Sequence, residues 1–458
     1  MSNRTRDLCV GASEADITPP APVWAIGMGN AFVEPDGTVH EYTGRHEPSR
    51  GIHDQLMLQA VYLDDGVGKA LLLSADLLYP IAAPEIMAAV ADSCGIAPEA
   101  VFYSVTHNHN GPVEHPAFID LLVKEAVECA RDAVKQARPA TMRRASAAYD
   151  RLIYDRSAPW GPVDGRIAVV NVLDRNTDDI ICSLWNYACH SCSLSYDFNM
   201  ITADYPGALR RCAKAALGQR VPIVFLAGCA GNVQCVGVKR FATPRMYLNT
   251  LRGGIETVEQ LGDHIVAAGL AAPFTPPLPP ENSRLSISRF TINLPVVFEC
   301  GVDEIGRRRD HIDELLAGCN TQVESYWKET LKRVYEEALD EALEIVIQDE
   351  PARAVDGALM TVGDLALVMV PLEVAWQLGS EIRQRSPFPA TMIATTTLDY
   401  AGYLTCSHFY EQERDDWAYE AIGMAPVVGY AYTPLAPKVF VSTIVAALEK
   451  IDNDSRSR

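Results

Sequence analysis

Apolar segments of strand length alternate with segments of helical period along nearly the whole chain. Residues 8–12, 59–63, 70–75, 101–106, 180–188, 221–226, 358–370 and 390–397 read as strands, several of them rich in β-branched residues and bounded by Gly, Pro or Asp. Residues 84–94, 116–137, 206–217, 302–316, 322–347 and 371–383 carry apolar positions at helical spacing or helix start signals. Pro84 near the start of the first helix and Gly95 past its end are the expected punctuation. Asp204 is a candidate N-cap for the helix at 206–217. Asp64-Asp65-Gly66 joins two of the strands as a hairpin. Such alternation predicts an α/β fold, here a multi-layer mixed sheet core flanked by helices, with a helical insertion near residues 300–350. A Pro-rich connector at about 272–281 holds Pro273, Pro276, Pro277, Pro279 and Pro280.

At 458 residues the chain is long enough for a large core. Its formal charge of −20 opposes binding to nucleic acid or to an anionic membrane surface. The polar start, Met1-Ser2-Asn3-Arg4-Thr5-Arg6-Asp7, is followed by no apolar run of signal-peptide or membrane-span length. A cytoplasmic protein without a stable membrane anchor is expected, and an oligomer is compatible with it. The 12 cysteines fit that setting, since Cys129, Cys182 and Cys212 read as small core residues. Cys189-His190-Ser191-Cys192 lacks a second Cys pair at zinc-finger spacing, so thiolate ligation is not expected.

Candidate chemistry gathers where strands end. His107-Asn108-His109 follows the strand at 101–106 and precedes the turn Asn110-Gly111-Pro112. The carboxyl edge of an α/β sheet is where ligands bind. Imidazole is a common zinc ligand, although a pair of loop histidines with no metal reads equally from these residues alone. His190 closes the strand at 180–188, and Glu373 follows the apolar strand before it, at an expected helix start where the dipole also favours a carboxylate. Tyr400 and Tyr403 follow the strand at 390–397. Two histidines and a carboxylate would bind zinc and leave a position for water, whose pKa the ion lowers to roughly 7.

In order along the chain these motifs resemble the catalytic domain of the neutral/alkaline (non-lysosomal) ceramidase family of zinc amidohydrolases. Val10-Gly11-Ala12 through Asp16-Ile17-Thr18-Pro19 is similar to the family's opening. Thr106-His107-Asn108-His109-Asn110-Gly111-Pro112 resembles its Thr-His-Thr-His-Ser-Gly-Pro. Ala188-Cys189-His190 with Ala203-Asp204-Tyr205-Pro206-Gly207 resembles its second-histidine segment. Val370-Pro371-Leu372-Glu373 resembles Pro-Gly-Glu, and Tyr400-Ala401-Gly402-Tyr403-Leu404-Thr405 with Tyr419-Glu420 resembles Tyr-x-Gly-Tyr-Val-Thr and Tyr-Glu-Gly. The resemblance implies zinc held by His107, His190, Glu373 and Tyr403, with His109 beside it as an acid/base or hydrogen-bonding group. It implies that Arg156, in Asp155-Arg156-Ser157-Ala158-Pro159 against the family's Asn-Arg-Ser-Pro, stabilises an oxyanion together with Tyr419; a surface salt bridge is the plainer role for that arginine.

The chain also departs from the family. Gly231-Asn232-Val233-Gln234-Cys235 stands where the family has Gly-Asp-Val-Ser-Pro, so no serine nucleophile is available there. The family's C-terminal immunoglobulin-like domain is absent, which leaves residues 1–458 as a single catalytic domain with its helical insertion at about 301–348. The expected activity is zinc-dependent hydrolysis of a C–N amide bond in a ceramide-like lipid or a smaller amide. The alternatives are a catalytically altered relative that binds without reacting, or one that forms or cyclises amides in specialised metabolism. A barrel-type metal amidohydrolase also begins with His-x-His, but His264, His311 and His408 lack the strand-end settings it needs.

Overall fold

In the computed structural model, residues 7–20, 22–23, 32–33, 39–40, 48–158, 161–194, 198–235, 239–243, 246–251, 254–313, 325–411, 421 and 428–456 are described. Eight strands form one mixed sheet in the order Ile223–Ala227, Ile180–Tyr187, Arg166–Asp174, Arg138–Ala148, Cys9–Asp16, Met57–Asp64, Lys69–Ala75, Val101–Val105. The hairpin expected at Asp64-Asp65-Gly66 is present, pairing Leu58 with Ala75 through Asp64 with Lys69. A second sheet of five strands runs Ala390–Ala394, Leu365–Met369, Ala352–Val362, Leu285–Phe298, Tyr430–Tyr432.

Period-two alternation sorts each strand between two cores. Leu58, Ala60 and Tyr62 pack with Leu71 and Leu73 against helices Ala83–Cys94 and Pro116–Lys135. Their neighbours Val61, Leu63 and Leu72 face the other way, onto Met360, Leu367, Met369 and Met392 of the second sheet. Helices Asp204–Leu217 and Ile255–Ala271 cover the rest of the first sheet's outer face. Helices Trp376–Arg385 and Ala436–Arg456 cover the second sheet. The result is four layers, helix on sheet on sheet on helix, as the alternation predicts. Val302–Asp310 and Ser325–Val346 form the helical insertion between the paired strands Leu285–Phe298 and Ala352–Val362. The first helix is shorter than expected, and residues 314–324 lie outside the described residues.

The two sheets are drawn together at one end and part at the other. At the closed end the Thr395 amide donates to the Ala227 carbonyl at 2.9 Å, and the Leu398 amide to the Tyr103 carbonyl at 2.7 Å. At the open end a cavity of about 880 Å³ lies beneath the Pro-rich connector, bounded by Met142, Arg143, Leu278 and Leu365. Leu365 begins its strand, whereas the candidate residues all follow strand ends, so this cavity is remote from them.

Two local expectations need correction. Glu373 does not open a helix: Glu373–Val374 is a short strand pairing in parallel with Tyr403–Leu404, and the helix begins at Trp376. The dipole of a first helical turn therefore does not account for this carboxylate. Asp204 does not cap its helix through N2 or N3. It sits at φ 52°, and its Oδ2 accepts the Ser193 amide at 2.9 Å and Asn110 Nδ2 at 3.3 Å, fastening two loops instead.

A candidate metal centre where the sheets meet

Each candidate side chain is delivered by a strand that has just ended at the closed end. After Val105, the backbone is held against the neighbouring strand's extension: the Thr106 amide donates to Ala75 and the Asn108 amide to Leu77, both at 2.9 Å. His107 itself lies at φ 57°, a left-handed conformation that costs a non-glycine residue about 1–2 kcal/mol. Such strain is tolerated where the surroundings over-determine it, and the Leu78 carbonyl, 2.8 Å from His107 Nδ1, is part of that constraint. His190 follows Tyr187, and its Nδ1 lies 3.0 Å from the Ala230 carbonyl. That carbonyl belongs to the small-residue loop after strand Ile223–Ala227.

A carbonyl oxygen can only accept, so both imidazoles carry their proton on Nδ1 and turn a bare Nε2 inward. The two Nε2 atoms stand 3.0 Å apart. Glu373 Oε2 faces them at 3.0 Å from His107 and 3.2 Å from His190, and this buried oxygen has no hydrogen-bond donor. The Tyr403 hydroxyl lies 3.3 Å from His190 Nε2, its ring stacked parallel to the imidazole, and His109 Nε2 lies 3.3 Å from His107 Nε2. Lone pairs in this number repel unless a cation sits among them. A single proton bridges only two of them, whereas a metal ion in tetrahedral coordination takes four. The residues present fit such an ion, and His107, His109 and His190 form a buried group that could hold one.

The electrostatics agree. Burial pushes the His190 pKa well down, helped by the Arg156 cation and the neighbouring histidines, so the ring is a neutral donor. Burial alone would raise Glu373, but the His107 ring and hydrogen bonds from Tyr400 and Tyr403 outweigh it and hold the carboxyl at about 2. Tyr400 makes its bond to Oε1 at 2.6 Å, which anchors the carboxylate and leaves Oε2 facing the histidines. Of the two tyrosines, Tyr403 therefore lies against the histidines and Tyr400 braces the glutamate.

Arg156 is not a surface residue. It is 7% exposed, its amide donates to the Asn232 carbonyl at 2.8 Å, its guanidinium donates to the Gly231 carbonyl, and its Cζ lies 5.4 Å over the Tyr403 ring. Tyr419 and Glu420 lie outside the described residues. His264, His311 and His408 stand apart from this cluster, in or beside helices. The described cysteines are all free, and burial raises Cys129, Cys182, Cys229 and Cys235 to about 12, as expected of small core residues.

Sequence reasoning passed over Leu78 and Ala230, whose carbonyls set the two tautomers. Backbone acceptors carry no side-chain signal, so only the Gly228-Cys229-Ala230-Gly231-Asn232 composition hinted at a close approach there. A Cβ on Gly231 would lie 2.7 Å from the Glu373 carbonyl oxygen, which explains that glycine.

No protein-family model matches the chain, and no curated protein matches it in sequence. Among solved structures, neutral ceramidase from Pseudomonas aeruginosa superposes with a TM-score of 0.67 at 16% identity, covering 97% of this chain and 75% of that one. The chain has the neutral ceramidase fold. A structure described as a ceramidase complexed with C2 gives a TM-score of 0.66 at 14% identity, covering 96% of this chain and 74% of that one. The ceramidase fold thus spans nearly the whole chain, including the segments that bring the two histidines, Glu373 and Tyr403 together. No helix among the described residues is long and apolar enough to cross a membrane.

Proposed function

We propose that this chain is a zinc-dependent hydrolase that cleaves a C–N amide bond of an N-acylated substrate, releasing an acid and an amine. The reading is carried by the two bare Nε2 atoms and the donorless Glu373 Oε2 that converge between the sheets. His107, His190, Glu373 and Tyr403 would hold the zinc. When bound, zinc supplies Lewis acidity and a lowered pKa for water. The chain's own groups supply the rest. Leu78 and Ala230 keep both imidazoles in the ligating tautomer. Arg156, fixed between Gly231 and the Tyr403 ring, places a permanent positive charge beside the histidines to offset the charge that develops on the attacked carbonyl oxygen. His109 is proposed to carry a proton toward the departing amine, and Tyr419 to share the oxyanion with Arg156.

The substrate is a ceramide-like lipid or a smaller amide, and the fold's likeness to ceramidases supports that class. The free thiols support a cytoplasmic setting, and residues 1–458 are read as one catalytic domain. The test is elemental analysis of protein purified without added metal, as wild type and as His190→Ala, followed by turnover of a panel of N-acyl lipids and small amides. About one zinc per chain, lost in the variant, is expected. No zinc in the wild type even after reconstitution overturns the reading.

A further inference from the structure

We propose that Asp155, paired with Asn232, is a positioning residue that ties the segments carrying Arg156, His190 and Glu373 into one register. Asp155 is 1% exposed and ends the strand Ile153–Asp155, which pairs with Val233–Cys235. Its Oδ2 accepts from Trp376 Nε1 at 2.8 Å, Gln377 Nε2 at 2.9 Å and Asn232 Nδ2 at 3.0 Å. Its Oδ1 accepts from the amides of Ser157 at 2.8 Å and Ala158 at 3.3 Å. No ion pair of Asp155 occurs among the described residues; its charge is met by N–H donors drawn from three separate segments.

Each of those segments carries a site group. Ser157 and Ala158 follow Arg156 directly. Asn232 lies in the loop that grips His190 at both ends, since Ala230 binds its Nδ1 and the Val233 carbonyl accepts its amide at 3.0 Å. Trp376 and Gln377 begin the helix that follows Glu373. Asn232 closes the circuit, accepting the Trp376 amide at 3.0 Å on Oδ1 and donating to Gln377 Oε1 at 3.0 Å. A side chain facing this many donors must be an acceptor at both of its ends, which an amide is not.

This also accounts for a departure noted in the sequence. Where the related motifs read Asn-Arg-Ser-Pro and Gly-Asp-Val-Ser-Pro, this chain has Asp155 and Asn232. The two side-chain types have changed places, and here they bond to each other. Asn232 is thus half of a reversed pair, and no acid has been lost from the junction.

The test compares Asp155→Asn, Asn232→Asp and the double exchange Asp155→Asn/Asn232→Asp with wild type. The first variant sets an amide N–H against other donors, the second sets two buried carboxylates together, and the double restores one acceptor and one donor. Hydrogen–deuterium exchange is read over residues 153–158, 229–235 and 373–378, with Leu122→Ala, in the core beneath the outer helices, as the control for global destabilisation. Asp155→Asn should speed exchange in all three segments about tenfold more than Leu122→Ala does, the size expected for a lost charge-assisted hydrogen bond. The double exchange should return it toward wild type. If Asp155→Asn fails to fold, Trp376→Phe removes a single donor and should still loosen residues 153–158. Faster exchange confined to 156–158, or a double variant no better than the worse single one, overturns the proposal. Zinc affinity, by competition with a chromophoric chelator, should fall about 10–100-fold in Asp155→Asn and recover in the double variant. That second readout rests on the metallohydrolase reading: wild type that binds no zinc refutes that reading, while the exchange data decide the junction on their own.

Discussion

Replacing Gly231 by alanine tests how tightly the site depends on the approach of two backbones. The new methyl would stand 2.7 Å from the Glu373 carbonyl oxygen and 2.9 Å from the Val374 carbonyl carbon. Ordinary contact begins at 3.4 Å, so the shortfall, 3.4 less 2.7, is about 0.7 Å, and it falls on backbone that cannot rotate away. The Gly231 amide donates to Val374 at 2.9 Å, so the same displacement stretches the bond that joins the two segments. Overpacking of this kind costs about 1–3 kcal/mol. Its functional effect should be larger in proportion. Glu373 rides on one side of the contact and His190 is held by Ala230 on the other, while metal donor distances must hold within about 0.2 Å. We expect Gly231→Ala to lower the urea unfolding free energy by that amount and to weaken zinc binding about 10–100-fold. Gly301→Ala is the control, since no described atom lies within 4 Å of its methyl, and it should change both by little. Wild-type stability and zinc affinity in Gly231→Ala would refute the reasoning and mean that the loop yields freely.

Further expectations follow from other buried groups. Zinc at 100 times its Kd should stabilise the wild type by about 2.7 kcal/mol in denaturant titrations, and His190→Ala should abolish the gain. Arg210 donates to the fully buried Asp76, so Arg210→Met, which strands that carboxylate, should cost about 3–5 kcal/mol, with Asp76→Asn added to it recovering part of the loss in a double-mutant cycle. Burial raises the Asp204 carboxyl from 3.8 to about 6 against the hydrogen bonds of Tyr205 and Ser193. The folded state therefore keeps a proton that the unfolded chain has released, and stability should fall by up to about 3 kcal/mol as pH rises from about 4 to 6, then level off. Asp204→Asn should lose that slope, and a wild-type-minus-variant difference flat over this window would refute the assignment.

Much of the scaffold was legible because its signals are local. The alternation at 57–75, the Pro84 and Gly95 punctuation and the apolar face of Pro116–Lys135 each depend on residues close in sequence, and each element formed where its pattern ran. The His107 and His190 positions were legible for the same reason, since a strand that ends in a polar turn places its next side chain at a sheet edge. By itself, then, the sequence determined an α/β chain with imidazoles and a carboxylate at strand ends. What it left open depends on partners far along the chain. Glu373 is extended because it pairs with Tyr403, and no propensity near residue 373 reports that partner. Asp204 serves Ser193 and Asn110 instead of its own helix. The left-handed turn at His107, the tautomers set by Leu78 and Ala230, and the division of labour between Tyr400 and Tyr403 exist only once the two sheets close on each other. Convergence of lone pairs between layers is a property of packing, and only the tertiary structure could decide it.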